Sequence, residues 1–162
     1  MHKKQKGFSL IELLIVVAII LIIAAIAIPN LLRSRMAANE ASAVGSIRTI
    51  NTAEVTYSTT YPSIGFAALA ILGGSAATCA TTTGASSTGA CLIDDVLANT
   101  AIKSGYTFTA TAAGGPPAVT YTSFTKPVAL GQSGQRAFCS DQSGVIRYNA
   151  GGTTCTSADS AL

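Results

Sequence analysis

The sequence predicts an α+β fold in which one long N-terminal helix packs on a small antiparallel β-sheet. Three observations carry this prediction. Residues 13–28 form an uninterrupted apolar run, and a helical pattern continues from there to about Thr60. Two hairpin patterns lie between residues 106 and 148, and all four cysteines follow Tyr61. With 162 residues, the chain has room for one domain and one appended segment.

The first sixty residues have the composition of a single helix. Residues 8–32 would extend about 37 Å at ~1.5 Å per residue, enough to cross a hydrocarbon layer of about 30 Å. Beyond Pro29, apolar residues recur at helical spacings, interrupted by charged residues such as Glu40 and Glu54, and Tyr61 before a proline predicts the end. We expect one helix of roughly 50 residues, apolar all round at first and then amphipathic. Because Pro29 removes one backbone donor, a local kink is expected there.

The C-terminal half contains two hairpin patterns. Residues 106–111 and 118–124 are period-two segments rich in β-branched and aromatic residues, and a Gly-Gly-Pro-Pro turn joins them. Residues 135–140 and 145–148 form the second pair, with Gly144 suited to a positive φ in their turn. The remaining predicted elements are an irregular edge at 126–130 and short helices at 66–72 and 92–101.

The four cysteines lie in a segment rich in Thr, Ser, Ala and Gly, beyond the predicted membrane helix. An even number of cysteines in such a segment favours disulfides, and three pairings are possible. We favour Cys79–Cys91 with Cys139–Cys155, because each bond closes a short loop rich in Gly, Ser and Thr. A metal site is disfavoured, since no Cys-x-x-Cys spacing occurs and the only histidine is His2.

The net charge of +3 comes from the first residues of the chain. Lys3, Lys4 and Lys6 precede Gly7, and the remaining seven basic residues balance seven acidic ones. The body is therefore near neutral and predicts no nucleic-acid-binding patch. The basic leader predicts membrane topology instead, with the N-terminus held in the cytoplasm.

The sequence contains no constellation of catalytic residues, so neither an enzyme activity nor a cofactor is predicted. It has no histidine outside the leader, no Ser-His-Asp or Cys-His set and no phosphate-binding loop. Asp94 and Asp95 are expected in the first turn of a helix, where the helix dipole favours carboxylates. Asp141 and Asp159 are the candidates for a calcium site, but their loop is poor in carboxylates, so no metal site is predicted.

The order of Gly7 and the apolar run distinguishes this N-terminus from an ordinary secretory signal. A secretory signal has its small-residue cleavage site after the apolar core, whereas Gly7 precedes the core. Two interpretations fit the residues: an uncleaved signal anchor, or cleavage between Gly7 and Phe8 that leaves the helix on the mature chain. Glu12 is also unusual, because a charge inside such a segment costs roughly 2.5–3.5 kcal/mol at the bilayer centre and less near the interface.

Residues 6–20, KGFSLIELLIVVAII, and residues 25–30, AIAIPN, resemble the N-terminal signature of type IV pilins and type II secretion pseudopilins. The resemblance implies that a prepilin peptidase cuts between Gly7 and Phe8 and N-methylates Phe8. It implies that Glu12 faces the terminal ammonium of a neighbouring subunit, whereas the residues alone also allow a carboxylate in headgroup water. It further implies that the helix unwinds near Pro29 in the filament.

The resemblance also implies how the chain is organised and where it resides. Residues 1–7 are a removable leader, residues 8–32 a transmembrane and filament-core helix, and residues 33–162 the amphipathic half-helix with a globular domain. The globular part has the pilin architecture, with a disulfide-bounded C-terminal loop between Cys139 and Cys155. The subunit is expected in the inner membrane as a single-pass protein, and afterwards in an extracellular filament built on an inner-membrane assembly platform.

The expected function is that of a structural subunit, a pilin, which polymerises with copies of itself through the N-terminal helix into a type IV pilus. The alternatives are a type II secretion pseudopilin that forms a short periplasmic filament, and a minor tip pilin for adhesion or DNA uptake. The poor calcium loop counts against the pseudopilin, and the near-neutral body counts against the tip pilin. A membrane-anchored enzyme is disfavoured by the absence of catalytic groups.

Overall fold

The computed structural model describes residues 8–80 and 84–162. The leader, with the expected cleavage residue Gly7, lies outside the described residues. Helix α1, Leu10–Thr60, is one α-helix of 51 residues with Pro29 inside it, so the predicted length and end of the helix are confirmed. The chain divides into two compact units, one ending at Arg35 and the other spanning Met36–Leu162, and α1 contributes residues to both.

The first unit contains the apolar half of α1. The large side chains of this half are exposed around the whole helix, with 75% of Leu10, 54% of Ile15 and 65% of Ile26 accessible. Within residues 8–80 and 84–162, α1 is the one helix that is long and apolar enough to cross a membrane, judged by length and composition.

The second unit packs the remainder of α1 on a six-stranded antiparallel sheet, which confirms the predicted α+β class. The strands lie in chain order across the sheet, so each one pairs with its neighbour in sequence. The elements after α1 are α2 Leu69–Leu72, α3 Ala76–Cys79, a π-helical turn Val96–Thr100, β1 Ile102–Lys103, β2 Tyr106–Ala113, β3 Thr120–Pro127, β4 Ala137–Asp141, β5 Arg147–Asn149 and β6 Ser160–Ala161.

Both predicted hairpins are present. Strands β2 and β3 pair over their whole lengths, and β4 pairs with β5 across the turn that contains Gly144. In that turn the N–H of Gly144 donates to the carbonyl of Asp141 at 2.8 Å, and Gly144 has the expected positive φ of 72°. The irregular edge predicted at 126–130 is partly wrong, because Lys126 and Pro127 are the last residues of the regular strand β3.

The helix predicted over 66–72 is shorter than expected. Only Leu69–Leu72 is helical. The N–H of Phe66 donates to the carbonyl of Ala118 at 3.1 Å, and Gly65 forms a β-bridge with the same residue. These contacts hold the first part of the segment extended, so it cannot enter the helix.

The helix predicted over 92–101 is reduced to the π-helical turn Val96–Thr100. Asp94 lies just before this turn, and its Oδ2 accepts the backbone N–H of Leu97 at 3.2 Å. Strands β1 and β6 were not predicted, because two residues are too few to show an alternating pattern.

The core of the second unit lies between α1 and the sheet. From α1, Ile47, Ile50 and Tyr57 are completely buried, at the three- and seven-residue spacings of one helix face. From the sheet, Tyr106 and Phe138 belong to the same buried cluster. Each side chain of this size contributes about 1.5–3 kcal/mol when it leaves water. Apolar burial therefore fixes the amphipathic half of α1 on the sheet.

Two disulfides close loops in this unit. Cys79 is bonded to Cys91 and Cys139 to Cys155, each pair with its Cα atoms 5.6 Å apart. The pairing is the sequential one favoured from the sequence, and the disulfide-bounded C-terminal loop is confirmed. Because Cys139 lies in β4, the second bond ties this loop to the sheet.

Replacing both Cys139 and Cys155 with Ser is expected to lower the free energy of unfolding by about 3 kcal/mol, the chain-entropy value for a loop of this size. The measurement is guanidinium unfolding of the detergent-solubilised chain without reductant. The matched control replaces Cys79 and Cys91, whose bond spans 12 residues rather than 16 and should give a similar or slightly smaller loss. A loss under about 0.5 kcal/mol for the first pair would contradict the expectation.

Candidate functional site

Glu12 lies in the first turn of α1, where a carboxylate interacts favourably with the helix dipole. Its Oε2 accepts a hydrogen bond from the backbone N–H of Ser9 at 3.0 Å, so the carboxylate is turned back toward the N-terminus. Phe8, the residue before Ser9, is 74% exposed. The arrangement places an anionic group close to the position where cleavage after Gly7 would create a terminal amine.

Glu12 forms no salt bridge within the described part of the chain. The salt bridges there join Arg136 to Glu40 and Lys103 to Asp94, all in the second unit. A carboxylate that is surrounded by apolar groups and left without a cation costs several kcal/mol. Because the Glu12 side chain is exposed on the helix surface, a cation can approach its carboxylate from outside the helix.

The surface behind Glu12 is apolar on every side of the helix. An exposed apolar area of this extent marks contact with a membrane or with other proteins. Pro29 lies near the end of this surface and has no N–H, so the carbonyl of residue 25 lacks its usual helical donor. The largest exposed side chains between Glu12 and Pro29 are Leu13, Leu14, Ile15, Val16, Val17, Ile19, Ile20, Leu21, Ile22, Ile23, Ile26 and Ile28.

In the second unit, Glu40 joins α1 to the segment before β4. Its Oε1 accepts the backbone N–H groups of Gln135 and Arg136 at 2.9 and 3.1 Å. Its Oε2 accepts the guanidinium of Arg136 through Nε at 2.8 Å and Nη2 at 2.7 Å. Burial opposes ionisation of this carboxyl, but the hydrogen bonds and the positive charge outweigh it and lower the pKa of Glu40.

Glu54 is a second buried carboxyl on α1, with no exposed surface at all. Its Oε2 accepts the backbone N–H of Ala67 at 3.0 Å, and its Oε1 has no hydrogen-bond partner among the described residues. Burial raises the pKa of Glu54 to about 7, only partly offset by the bond from Ala67. In the sequence, Glu54 is one of the charges that interrupt the apolar pattern of α1. Its spacing after Ile50 and before Tyr57 was the signal that it occupies the core face.

The carboxylates of the C-terminal loop are engaged in local hydrogen bonds. Asp141 Oδ1 accepts the N–H of Ser143 at 2.8 Å, and Asp159 accepts the N–H of Thr156 at 2.7 Å and the side-chain amide of Asn149 at 2.8 Å. No group of three or more His, Cys, Asp or Glu side chains suited to a metal occurs among residues 8–80 and 84–162. These two aspartates therefore stabilise the turn and the loop.

Comparison with known proteins identifies a family motif in the N-terminal segment. The prokaryotic N-terminal methylation motif matches residues 2–28. The type IV wide pilus major component PilA4 of Thermus thermophilus is 63% identical over 38 residues, 24% of this chain and 29% of that protein. The type IV major pilin protein PilA of Myxococcus xanthus is 41% identical over 56 residues, 35% of this chain and 26% of that protein. The chain thus spans less than a third of the length of either relative, and no solved structure matches it significantly.

The matched motif contains Gly7 and Phe8, the predicted cleavage junction, and Glu12, the predicted assembly residue. The fold adds a long helix on an antiparallel sheet with a C-terminal disulfide. The chain therefore carries a prokaryotic N-terminal methylation motif, and over stretches of 38 and 56 residues it is similar to type IV major pilins.

Proposed function

We propose that this chain is the structural subunit of a type IV pilus and polymerises through its N-terminal helix into a surface filament. The observation that carries the proposal is the apolar helix, exposed on all sides over residues 13–28, all of which lie within the matched methylation motif. Both relatives are named as major pilins or major pilus components. Such a helix is stable in lipid or in a bundle of its own copies. The subunit uses the membrane before assembly and the filament core afterwards.

Maturation starts at the junction between Gly7 and Phe8. A prepilin peptidase removes the basic leader at residues 1–7, which has held the N-terminus in the cytoplasm, and N-methylates Phe8. Residues 8–32 then anchor the subunit in the inner membrane, while residues 33–162 lie outside it. An assembly platform in that membrane moves the subunit into the extracellular filament. The chain acts as a building block rather than as an enzyme.

Glu12 sets the position of each subunit relative to its neighbour. Its carboxylate is already turned toward the N-terminal end of α1 by the bond from Ser9. In a staggered bundle of helices, this carboxylate meets the methylated amine of Phe8 from an adjacent subunit. The pair offsets much of the cost of burying either charge alone, so wrong registers, which leave both charges unpaired, are disfavoured.

Pro29 is the position where we propose that α1 gives up helical structure on assembly. The missing N–H at Pro29 already leaves one carbonyl without its donor. Unwinding there costs less than at any neighbouring residue, and it lets the apolar end of the helix and the globular part adjust separately to their neighbours.

The test of the proposed function is the recovery of filaments from cells that express the chain. Sheared surface material is examined by electron microscopy, and the subunit mass is determined. Long extracellular fibres made of chains that begin with N-methylated Phe8 support the proposal. The same modified chain found only in envelope fractions would overturn it in favour of a type II secretion pseudopilin. A chain that keeps its leader and forms no fibres would refute both functions.

Glu12→Ala is expected to abolish surface filaments while leaving membrane insertion intact. The apolar helix remains, but the amine of the neighbouring Phe8 then enters the filament core without a counter-charge, at a cost of several kcal/mol for each subunit. The measurement compares subunit in the sheared fraction with subunit in the membrane. Asp95→Asn, which also removes one carboxylate, serves as the control because Asp95 is exposed in the second unit. Wild-type filament yield from Glu12→Ala would contradict the assigned role.

A further inference from the structure

The contact between Glu54 and Ala67 joins α1 to the connection that follows it. Glu54 lies in the last two turns of α1, whereas Ala67 lies in the irregular segment between Thr60 and α2. The bond from the Ala67 N–H to Oε2 is 3.0 Å long, and both residues are buried. The carboxyl therefore holds a piece of non-helical backbone against the helix.

Among the residues that the structure describes, none supplies a cation to Glu54. The titratable groups whose electrostatic interaction with it is resolved are two tyrosines, Tyr57 on α1 and Tyr121 on β3. Each is already committed as a donor, Tyr57 to the carbonyl of Ser87 at 2.7 Å and Tyr121 to Asn51 at 3.1 Å. Neither salt bridge of the described residues includes Glu54. An ionised carboxylate in this position loses its hydration shell and receives only one hydrogen bond from the protein in its place.

Glu40 shows what a compensated carboxylate on the same helix looks like. It receives two backbone N–H groups and the guanidinium of Arg136, and it is ionised as a result. Glu54 receives one backbone N–H, and one of its oxygens has no partner. The two buried glutamates of α1 therefore differ: the pKa of Glu40 is lowered, whereas burial raises the pKa of Glu54 to about 7, so Glu54 keeps its proton in mildly acidic solution.

The segment that can move away from Glu54 is the connection itself. It is neither helix nor strand, and it is attached to the entry of β3 by the bonds of Phe66 and Ile64 with Ala118, at 3.1 and 2.7 Å. The Phe66 ring also packs on Tyr121, with the ring centroids 4.8 Å apart. Displacing these few contacts opens a path for water to the carboxyl, whereas unwinding α1 or the sheet would cost much more.

We propose that Glu54 is a protonation-dependent latch, whose neutral carboxyl keeps the connection at residues 61–68 closed on α1 and whose ionisation releases it. The closed state binds the proton more tightly than the open state. Opening therefore becomes easier as pH rises from the ordinary glutamate range, near 4.5, through the raised pKa near 7, and changes no further above it. The latch belongs to the single subunit and is measured without filaments.

The test is hydrogen exchange of the full-length chain in detergent micelles at pH 5.5 and pH 8.5, with each rate corrected for the intrinsic effect of pH on exchange. Opening of residues 61–72 should increase on the order of tenfold or more at the higher pH, while strand β2 changes much less. In Glu54→Gln the increase should vanish, because the amide cannot ionise. In the matched control Glu40→Gln, the increase at 61–72 should persist.

Two results would overturn the latch. One is equal opening of residues 61–72 at both pH values in the wild-type chain, and this comparison decides the matter even where Glu54→Gln does not fold. The other is an increase that β2 shares in full, since the pH effect would then act on global unfolding and not on the connection. A full increase that survives in Glu54→Gln would assign the effect to another group and equally refute the role of Glu54.

Discussion

Glu40→Ala should lower the free energy of unfolding by about 2–4 kcal/mol at neutral pH. The change leaves the backbone N–H groups of Gln135 and Arg136 without their acceptor and removes the counter-charge of the guanidinium. The Arg136 side chain is 40% exposed, so water recovers part of the loss, and the effect stays below that of a fully buried pair. The measurement is denaturant unfolding of the detergent-solubilised chain.

The same contact has a defined pH dependence. Because the pKa of Glu40 is lowered in the folded chain, its stabilisation is present above the ordinary glutamate value of 4.5 and is lost as pH falls through the folded value. The difference between wild type and Glu40→Ala should therefore shrink in acid. Arg48→Ala, on the exposed face of α1, is the control and should change stability by less than about 0.5 kcal/mol. A difference that grows in acid would contradict the ionised state of Glu40.

Phe138→Ala should lower the free energy of unfolding by about 3–5 kcal/mol, the usual range for removing a fully buried aromatic ring. Phe138 has no exposed surface and lies in β4, with its ring centroid 6.1 Å from that of Tyr106. The guanidinium of Arg136 lies 5.4 Å from the Phe138 ring centroid, so the loss includes a cation–π contact. Denaturant unfolding measures the change.

The control for Phe138→Ala is the same substitution at Phe124, on the neighbouring strand. Phe124 lies in β3 directly opposite Cys139, and is only half buried. Phe124→Ala removes the same aromatic ring from a less buried site. It should therefore lower the free energy of unfolding clearly less than Phe138→Ala does. Equal losses at the two positions would mean that the ring of Phe138 does not carry the core contacts assigned to it.

The long helix and both hairpins could be predicted because their patterns are local. Alternation marks the strands between Tyr106 and Asn149, and continuous apolar or periodic residues mark α1. The extended segment before α2 could not be predicted, since it depends on pairing with Ala118, some fifty residues further along the chain. The two-residue strands were missed for a different reason, because they are too short to carry a pattern.

The candidate-site residues also divide into those recognisable from a local motif and those that depend on a distant partner. Gly7, Phe8 and Glu12 lie within one short stretch of the chain, so the sequence alone is sufficient to identify them. Their roles in assembly stay predictions. Glu40 could not be recognised as buried, whereas the spacing of Glu54 to Ile50 and Tyr57 places it on the core face of α1. The partner of Glu40, Arg136, is 96 residues away, and nothing in the local sequence distinguishes a carboxylate that finds such a partner from one that faces solvent.

The two outer strands of the sheet, β1 and β6, are only two residues long, and β1 ends in the charged residue Lys103. An outer strand exposes unpaired backbone groups that can recruit a strand from another molecule, and this tendency increases with its length and flatness. In a filament, copies of this sheet would be crowded together at very high local concentration. Strands of two residues give a neighbouring copy almost no backbone to pair with, so β1 and β6 are themselves poor templates for a strand from another subunit.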